Sequence, residues 1–295
     1  MSHGWVPVVK RRTVVQKERR LPLPGEIHVK IGDTVAPDTI VASARVPHRS
    51  HVVDVADVLG VDAPDAEYFM TKKIGEETTS DEIIAVRPKF FFFRSERICK
   101  SPVNGVIKEI SRGKVLIQEI RQLEVRAYIP GTVVGELADE GVVVKTTAML
   151  IQGAFGVGGE THGELMVIQS PNDIITDKDI SLNCEGKILV GGSLVTLEAL
   201  QKAVATGVKG IIVGGIEQKD LVDFLGYEIG IPITGDEDIG ITLILTEGFG
   251  RIPIADKTFR LLQSFSGRQA CMNGSTQIRL NAIRPEVIIP LKKET

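Results

Sequence analysis

The chain has 295 residues, 43% of them apolar and 25% charged, with a net charge of −3. That composition suits a globular protein of about two domains, excludes wholesale disorder and gives no bulk-charge argument for nucleic acid or membrane. No apolar run approaches the ~20 residues a membrane-spanning helix needs, and the first residues lack the apolar stretch of a secretion signal.

The N-terminal segment is basic, with Lys10, Arg11, Arg12, Lys17, Arg19 and Arg20 relieved only by Glu18. Residues 51–85 swing acidic and residues 87–126 basic again. Two readings stay open: solvated strand faces of alternating sign, or a basic stripe that meets an anionic partner through Arg11, Arg12, Arg19 and Arg20. A short repeat follows. Ile31–Ala42 returns as Ile74–Ala85 in the frame I-G-[D/E]-x-x-x-x-D-x-I-[V/I]-A. Glycine permits a tight turn, the acidic positions cap it, and the closing apolar pair re-enters a core. Between the copies, Val52–Leu59 is expected to form a short helix ended by Gly60. The run Phe90–Phe93 suits a strand covered on both faces, or a hairpin tip whose Phe91 and Phe92 dock on a partner. Ser101–Ile110 reads as a turn then a strand, and further strands are expected over 114–119, 122–129, 132–137 and 141–146.

The repeated I-G-D frame and the S-P-V-N-G-V-I element resemble the barrel-sandwich hybrid fold, which serves biotinyl and lipoyl carriers and the N-terminal part of the RnfC protein of the Rnf complex. The resemblance covers about residues 20–120 and implies a β-rich module. Carriers present their modified lysine within motifs such as M-K-M or D-K-A. Here Lys72, Lys73 and Lys100 lie in Met-Thr-Lys-Lys-Ile and Cys-Lys-Ser-Pro, so no lipoyl or biotin attachment lysine is recognised and no cofactor is expected. The iron–sulfur part of the Rnf protein has no counterpart, because Cys99, Cys184 and Cys271 are widely spaced and outside any CxxC. Neither a disulfide framework nor a zinc site is indicated, and a cytoplasmic location is expected.

After Thr147 strands alternate with helices. Strands at 187–190, 210–213 and 231–233 flank helices at 194–205 and 219–225, the latter stopped by Gly226. Such a βαβαβ run implies parallel pairing, with ligands beyond the carboxyl ends of the strands. Those ends carry Gly191-Gly192-Ser193, Gly214-Gly215 and Thr234-Gly235, and their backbone amides, with Glu247 nearby, form a candidate site for a small anionic, nucleotide-like ligand. Equally, these glycines can serve only the tight turns, and Ser193 only the helix N-cap. The stretch 186–234 also resembles the DRTGG-type regulatory module, associated with nucleotide ligands, through G-K-I-L-V-G-G, A-x-x-x-G-V-K-G-I-I-V-G-G and G-I-P-I-T. The D-R-T-G-G string itself is absent. Arg251–Ala255 reads as a strand and Asp256–Phe265 as a helix, and the remaining β-like tail resembles small SH3-like barrels.

Complete catalytic sets are missing. The glycine cluster 153–163 lacks the lysine of a phosphate-binding loop and reads first as a flexible interdomain loop and second as an anion site, while Glu160 and His162 lack a third metal ligand nearby in sequence. Cys271 has no plausible local base, and the acidic residues Asp236, Glu237 and Asp238 read best as a solvated loop. The expected class is α+β: a β-rich barrel-sandwich region over 1–147, a small α/β domain over 148–250 and a β-rich tail over 251–295. The expected function is non-catalytic binding or assembly, with a protein partner or homo-oligomer and a small anionic ligand. An enzyme acting on a nucleotide or phosphorylated metabolite is the alternative, and an RNA- or ribosome-associated factor the third.

Overall fold

The computed structural model describes residues 8–89, 95–227, 239–276 and 283–291. The chain forms two compact units, one of Leu21–His28 with Ala42–Val125 and the other of Met1–Arg20, Val29–Val41 and Arg126–Thr295.

In the smaller unit a five-stranded sheet has the order Glu26–Ile27, Ile40–Asp54, Lys114–Arg126, Gly105–Ser111, Glu77–Thr78, and Ile83–Arg87 pairs separately with Arg97–Lys100. A short helix, Val55–Leu59, ends at Gly60 in the left-handed region, as the glycine signal foretold. Its core joins Val55 and Leu59 to Ile84, Cys99, Ile107, Val115 and Ile117.

The larger unit is built on one eleven-stranded sheet. Its strands are β1 (Val8–Arg20), β2 (Thr34–Val35), β3 (Gly131–Glu136), β4 (Gly141–Gln152), β5 (Phe155–Val157), β6 (Glu160–Val167), β7 (Lys187–Val190), β8 (Gly210–Ile216), β9 (Thr242–Phe249), β10 (Gln269–Asn273) and β11 (Glu286–Pro290). Their order is β5-β9-β8-β7-β6-β10-β11-β4-β3-β2, and β1 pairs with β4. The helices are α1 (Leu197–Thr206), α2 (Gln218–Leu225) and α3 (Asp256–Ser264).

The parallel part, β6-β7-β8-β9, is apolar on both faces. Leu189, Ile211, Val213, Leu243 and Leu245 pack with Leu200 and Ala203 of α1 and Leu221 of α2. Their sequence neighbours Ile188, Val190, Ile212 and Ile244 pack on the opposite face with Leu262 of α3. Period-two side chains thus serve two cores from one strand, which is why these strands read as continuous apolar runs.

The expected fold class is overturned. Strands make up 49% and helices 16% of the described residues, which rules out a balanced α+β chain carrying a small α/β domain. The β–α–β segments exist, but β7, β8 and β9 are one wing of a curled mixed sheet completed by strands from both ends of the chain. Sequence periodicity finds such elements; it does not reveal that antiparallel β10 and β11 join β6 to β4.

The repeat is structural. Gly32 and Gly75 have φ of 99° and 90°. Lys30 N donates to Asp33 Oδ2 (2.8 Å), and Lys73 N donates to Glu76 Oε2 (3.0 Å). Gly32 N donates to Val133 O and returns through Val133 N to Asp33 O; Gly75 N, Ile107 and Glu76 make the same exchange. The duplicated unit therefore includes the partner segments around 131–133 and 105–107, beyond the twelve residues that match in sequence.

Candidate functional site

The sequence points first to the glycine-bearing strand ends. Gly214 and Gly215, expected to follow their strand, lie within β8, and the loop after β7 meets them there, since Gly214 N donates to Gly192 O at 3.1 Å. Their amides are engaged, however. Gly191 N donates to Ile212 O, Gly192 N to Ser170 O, and Ser193 N to Asp173 O. The segment after β9 crosses this edge: Ile252 N donates to Ser193 O, and a Cβ at Gly214 would lie 1.8 Å from Ile252 O. A Cβ at Gly215 would lie 2.0 Å from Gly250 O. These glycines admit a crossing backbone, the close-approach role of the residue type. Ser193 is not the N-cap of α1. That role falls to Thr196, whose side chain accepts from Ala199 N, because Leu194–Val195 first forms a short parallel pair with Ile174–Ile175. Ser193 Oγ instead donates toward the carbonyls of Asn172 and Asp173 and accepts from Arg251 Nε at 3.3 Å. Glu247 Oε1 accepts from Ala255 N at the start of α3, as a capping carboxylate does. Thr234, Gly235 and Asp236–Asp238 lie outside the described residues, as do Phe91 and Phe92.

A denser polar cluster lies elsewhere in the same unit. Tyr128 is buried with φ of 66°, and its hydroxyl donates to Glu286 Oε1 at 3.2 Å. Glu286 also pairs with Lys17 Nζ. Lys17 and Arg19, two apart on β1 and so on one face, stand over the Tyr128 ring at 5.8 and 5.5 Å from its centroid. Arg19 grips Glu160 with two parallel bonds of 2.7 and 2.6 Å and donates through Nε to Arg126 O. His162, two residues along from Glu160, sets Nε2 3.1 Å from Asp38 Oδ2. Cys271 of β10 is the cross-strand partner of His162. Sequence reasoning singled out Arg19, Glu160, His162 and Cys271 separately; only the curled sheet unites them.

No family model, curated protein or solved structure matches this chain.

Chemically, the cluster has the outline of a Cys–His–Asp set without its electrostatics. Burial pushes the Cys271 thiol up to about 12, and the carboxylates of Glu160, Asp38 and Glu286 add to the rise. An activated thiol needs the opposite environment. Burial likewise raises the Tyr128 hydroxyl far above its ordinary range, with Glu286 and Glu160 contributing. The ion pairs Lys17–Glu286 and Arg19–Glu160 neutralise each other and tie β1, Tyr128, β6 and β11 together. Among the described residues no group of His, Cys, Asp and Glu is arranged to hold a metal ion, and no helix is long and apolar enough to cross a membrane.

The smaller unit has a cavity of about 350 Å³ lined by Arg45, Glu77, Thr79, Glu82 and Asn104 among others. Arg45 and Glu77 pair across its rim at 2.7 Å. Glu82 bonds Lys72 at 2.5 Å and accepts from Thr79 N, which together hold its carboxyl near pKa 2.

The basic N-terminal residues lie on β1, whose one partner strand among the described residues is β4. Arg20 pairs with Glu140 and Arg19 with Glu160, so the carboxyl half of the strand is neutralised. Arg11 and Arg12 occupy a β-bulge. Lys10 pairs with Leu150 and Thr13 with Ala148, which sets both arginines against the single residue Met149.

Proposed function

We propose that this chain is a non-catalytic binding and assembly protein whose contact surface is the edge of β1 that has no partner strand among the described residues. The observation that carries this reading is a thirteen-residue strand paired along one edge among the described residues, with Val8, Val9 and Val14 exposed beside exposed Lys10 and Arg11. A free strand edge offers unpaired N–H and C=O groups that another chain can complete. Engagement of the amides at Gly191, Gly192 and Gly214 by backbone carbonyls weighs against a small anionic ligand there, and the protonated Cys271 thiol weighs against acyl-transfer chemistry. A cytoplasmic setting suits three free, buried cysteines.

Peptide-display selection against the folded protein tests this, with Thr13→Pro and Val14→Pro as counter-variants. Successive N–H groups on a strand point to opposite edges, so one of the two prolines removes an outward donor and spares the β4 ladder. Selected peptides should lose binding to whichever variant melts like the parent. Undiminished binding to that variant would move the contact surface away from β1.

A further inference from the structure

We infer that the occupant of the β1 edge is an acidic, extended protein segment added as a further strand; this rests on the assembly reading above and specifies its partner. β1 reads Val-Val-Lys-Arg-Arg-Thr-Val-Val-Gln-Lys-Glu-Arg-Arg, six basic residues against one acidic. The charge is not uniformly available. Lys17, Arg19 and Arg20 hold Glu286, Glu160 and Glu140, whereas Lys10 and Arg11 stand exposed where the strand enters its bulge. An incoming strand therefore meets exposed positive charge at one end and a neutralised ladder beyond it.

Three occupants compete for such an edge. A second copy pairing β1 with β1 would bring basic strand against basic strand, which cross-strand repulsion disfavours. The bulge and the charges thus act against self-association, as edge residues commonly do. Single-stranded RNA would answer the charge, but β1 has no aromatic ring on which bases could stack, and a nucleotide chain cannot complete a peptide hydrogen-bond ladder. An acidic peptide answers both the charge and the ladder. The exposed β-branched side chains of Val8, Val9 and Val14 give it apolar contacts between the polar ones.

The experiment titrates the full chain with a peptide of about eight residues alternating valine and glutamate, a valine–lysine counterpart, the acidic peptide with proline at alternate positions, and an oligouridylate. Hydrogen exchange monitors the β1 amides. The acidic peptide should bind, protect β1 and weaken with salt. The proline form, and binding to the Lys10→Glu/Arg11→Glu variant, should each be weaker by about tenfold or more. Equal binding of the proline form would remove strand addition. Equal binding of the lysine peptide at β1 would remove the acidic requirement while leaving the assembly surface standing. Binding of the oligouridylate in place of the acidic peptide would replace the partner class, and no binding or protection by any probe would end this inference, while the assembly reading would still stand or fall on the peptide-display test.

Discussion

His162 and Cys271 face each other across β6 and β10, and the imidazole Nε2 lies 3.1 Å from Asp38 Oδ2. Order along the chain hid this pairing, since the two residues are 109 positions apart (271 − 162) and no local base precedes the cysteine. The pairing suggests a catalytic set, while burial and three carboxylates raise the thiol, the opposite of what an activated cysteine needs.

The thiols should therefore be inert in the folded protein. Cys99, Cys184 and Cys271 are all buried, and burial raises Cys99 as well as Cys271. Titration with a thiol reagent near pH 8 should find no rapid reaction natively and three thiols after denaturation. Fast modification of Cys271 in the native protein would restore a nucleophilic role.

Gly214→Ala should destabilise by about 3 kcal/mol or more, because the new methyl meets a crossing backbone rather than a movable side chain. Gly135→Ala, where the nearest atom is a valine methyl at 3.6 Å, should stay within about 1 kcal/mol. Denaturant melts compare them. A harmless Gly214→Ala would mean that the strand-end crevice is open after all, and a nucleotide thermal-shift panel would again become informative.

A double-mutant cycle on Arg19→Met and Glu160→Gln should return a coupling of about 1–2 kcal/mol. The bidentate geometry favours the upper part of that range, while side-chain exposures of 14% and 33% argue against more. Zero coupling would reduce the pair to an incidental surface contact.

Acid should loosen the smaller unit through Glu82. Its folded pKa of about 2 lies below the ~4.3 of an unfolded glutamate, so the carboxylate favours the fold at neutral pH and that contribution disappears as pH falls from about 4.5 through 2. Glu82→Gln should flatten this part of the stability profile. A profile unchanged by the substitution would assign the acid response to other carboxylates.

Local chemistry was legible in the sequence and long-range pairing was not. The Gly32 and Gly75 turns, the Gly60 and Gly226 helix ends, and α3 were all readable, since capping and backbone handedness act within a few residues. The cap expected at Ser193 falls to Thr196 because a two-residue strand intervenes, too short to leave a periodic signal. Of the polar cluster, only the period-two spacing of Lys17 with Arg19 and Glu160 with His162 hinted at shared faces. What brings Tyr128 and Glu286 to them is the sheet's curl, which no single segment encodes.

Strand β4 is bordered along one edge by β1 and along the other by β3 and then β11. During synthesis it can zip to the earlier-made β1 and β3, yet the stretch Ala148–Gln152 has no second neighbour until Glu286–Pro290 leaves the ribosome. The segment from 42 to 125 is complete long before then. Folding of the larger unit is thus expected to be a late, slow event governed by contacts distant in the chain, and a nascent polypeptide halted before residue 286 should expose an unfinished sheet to chaperones.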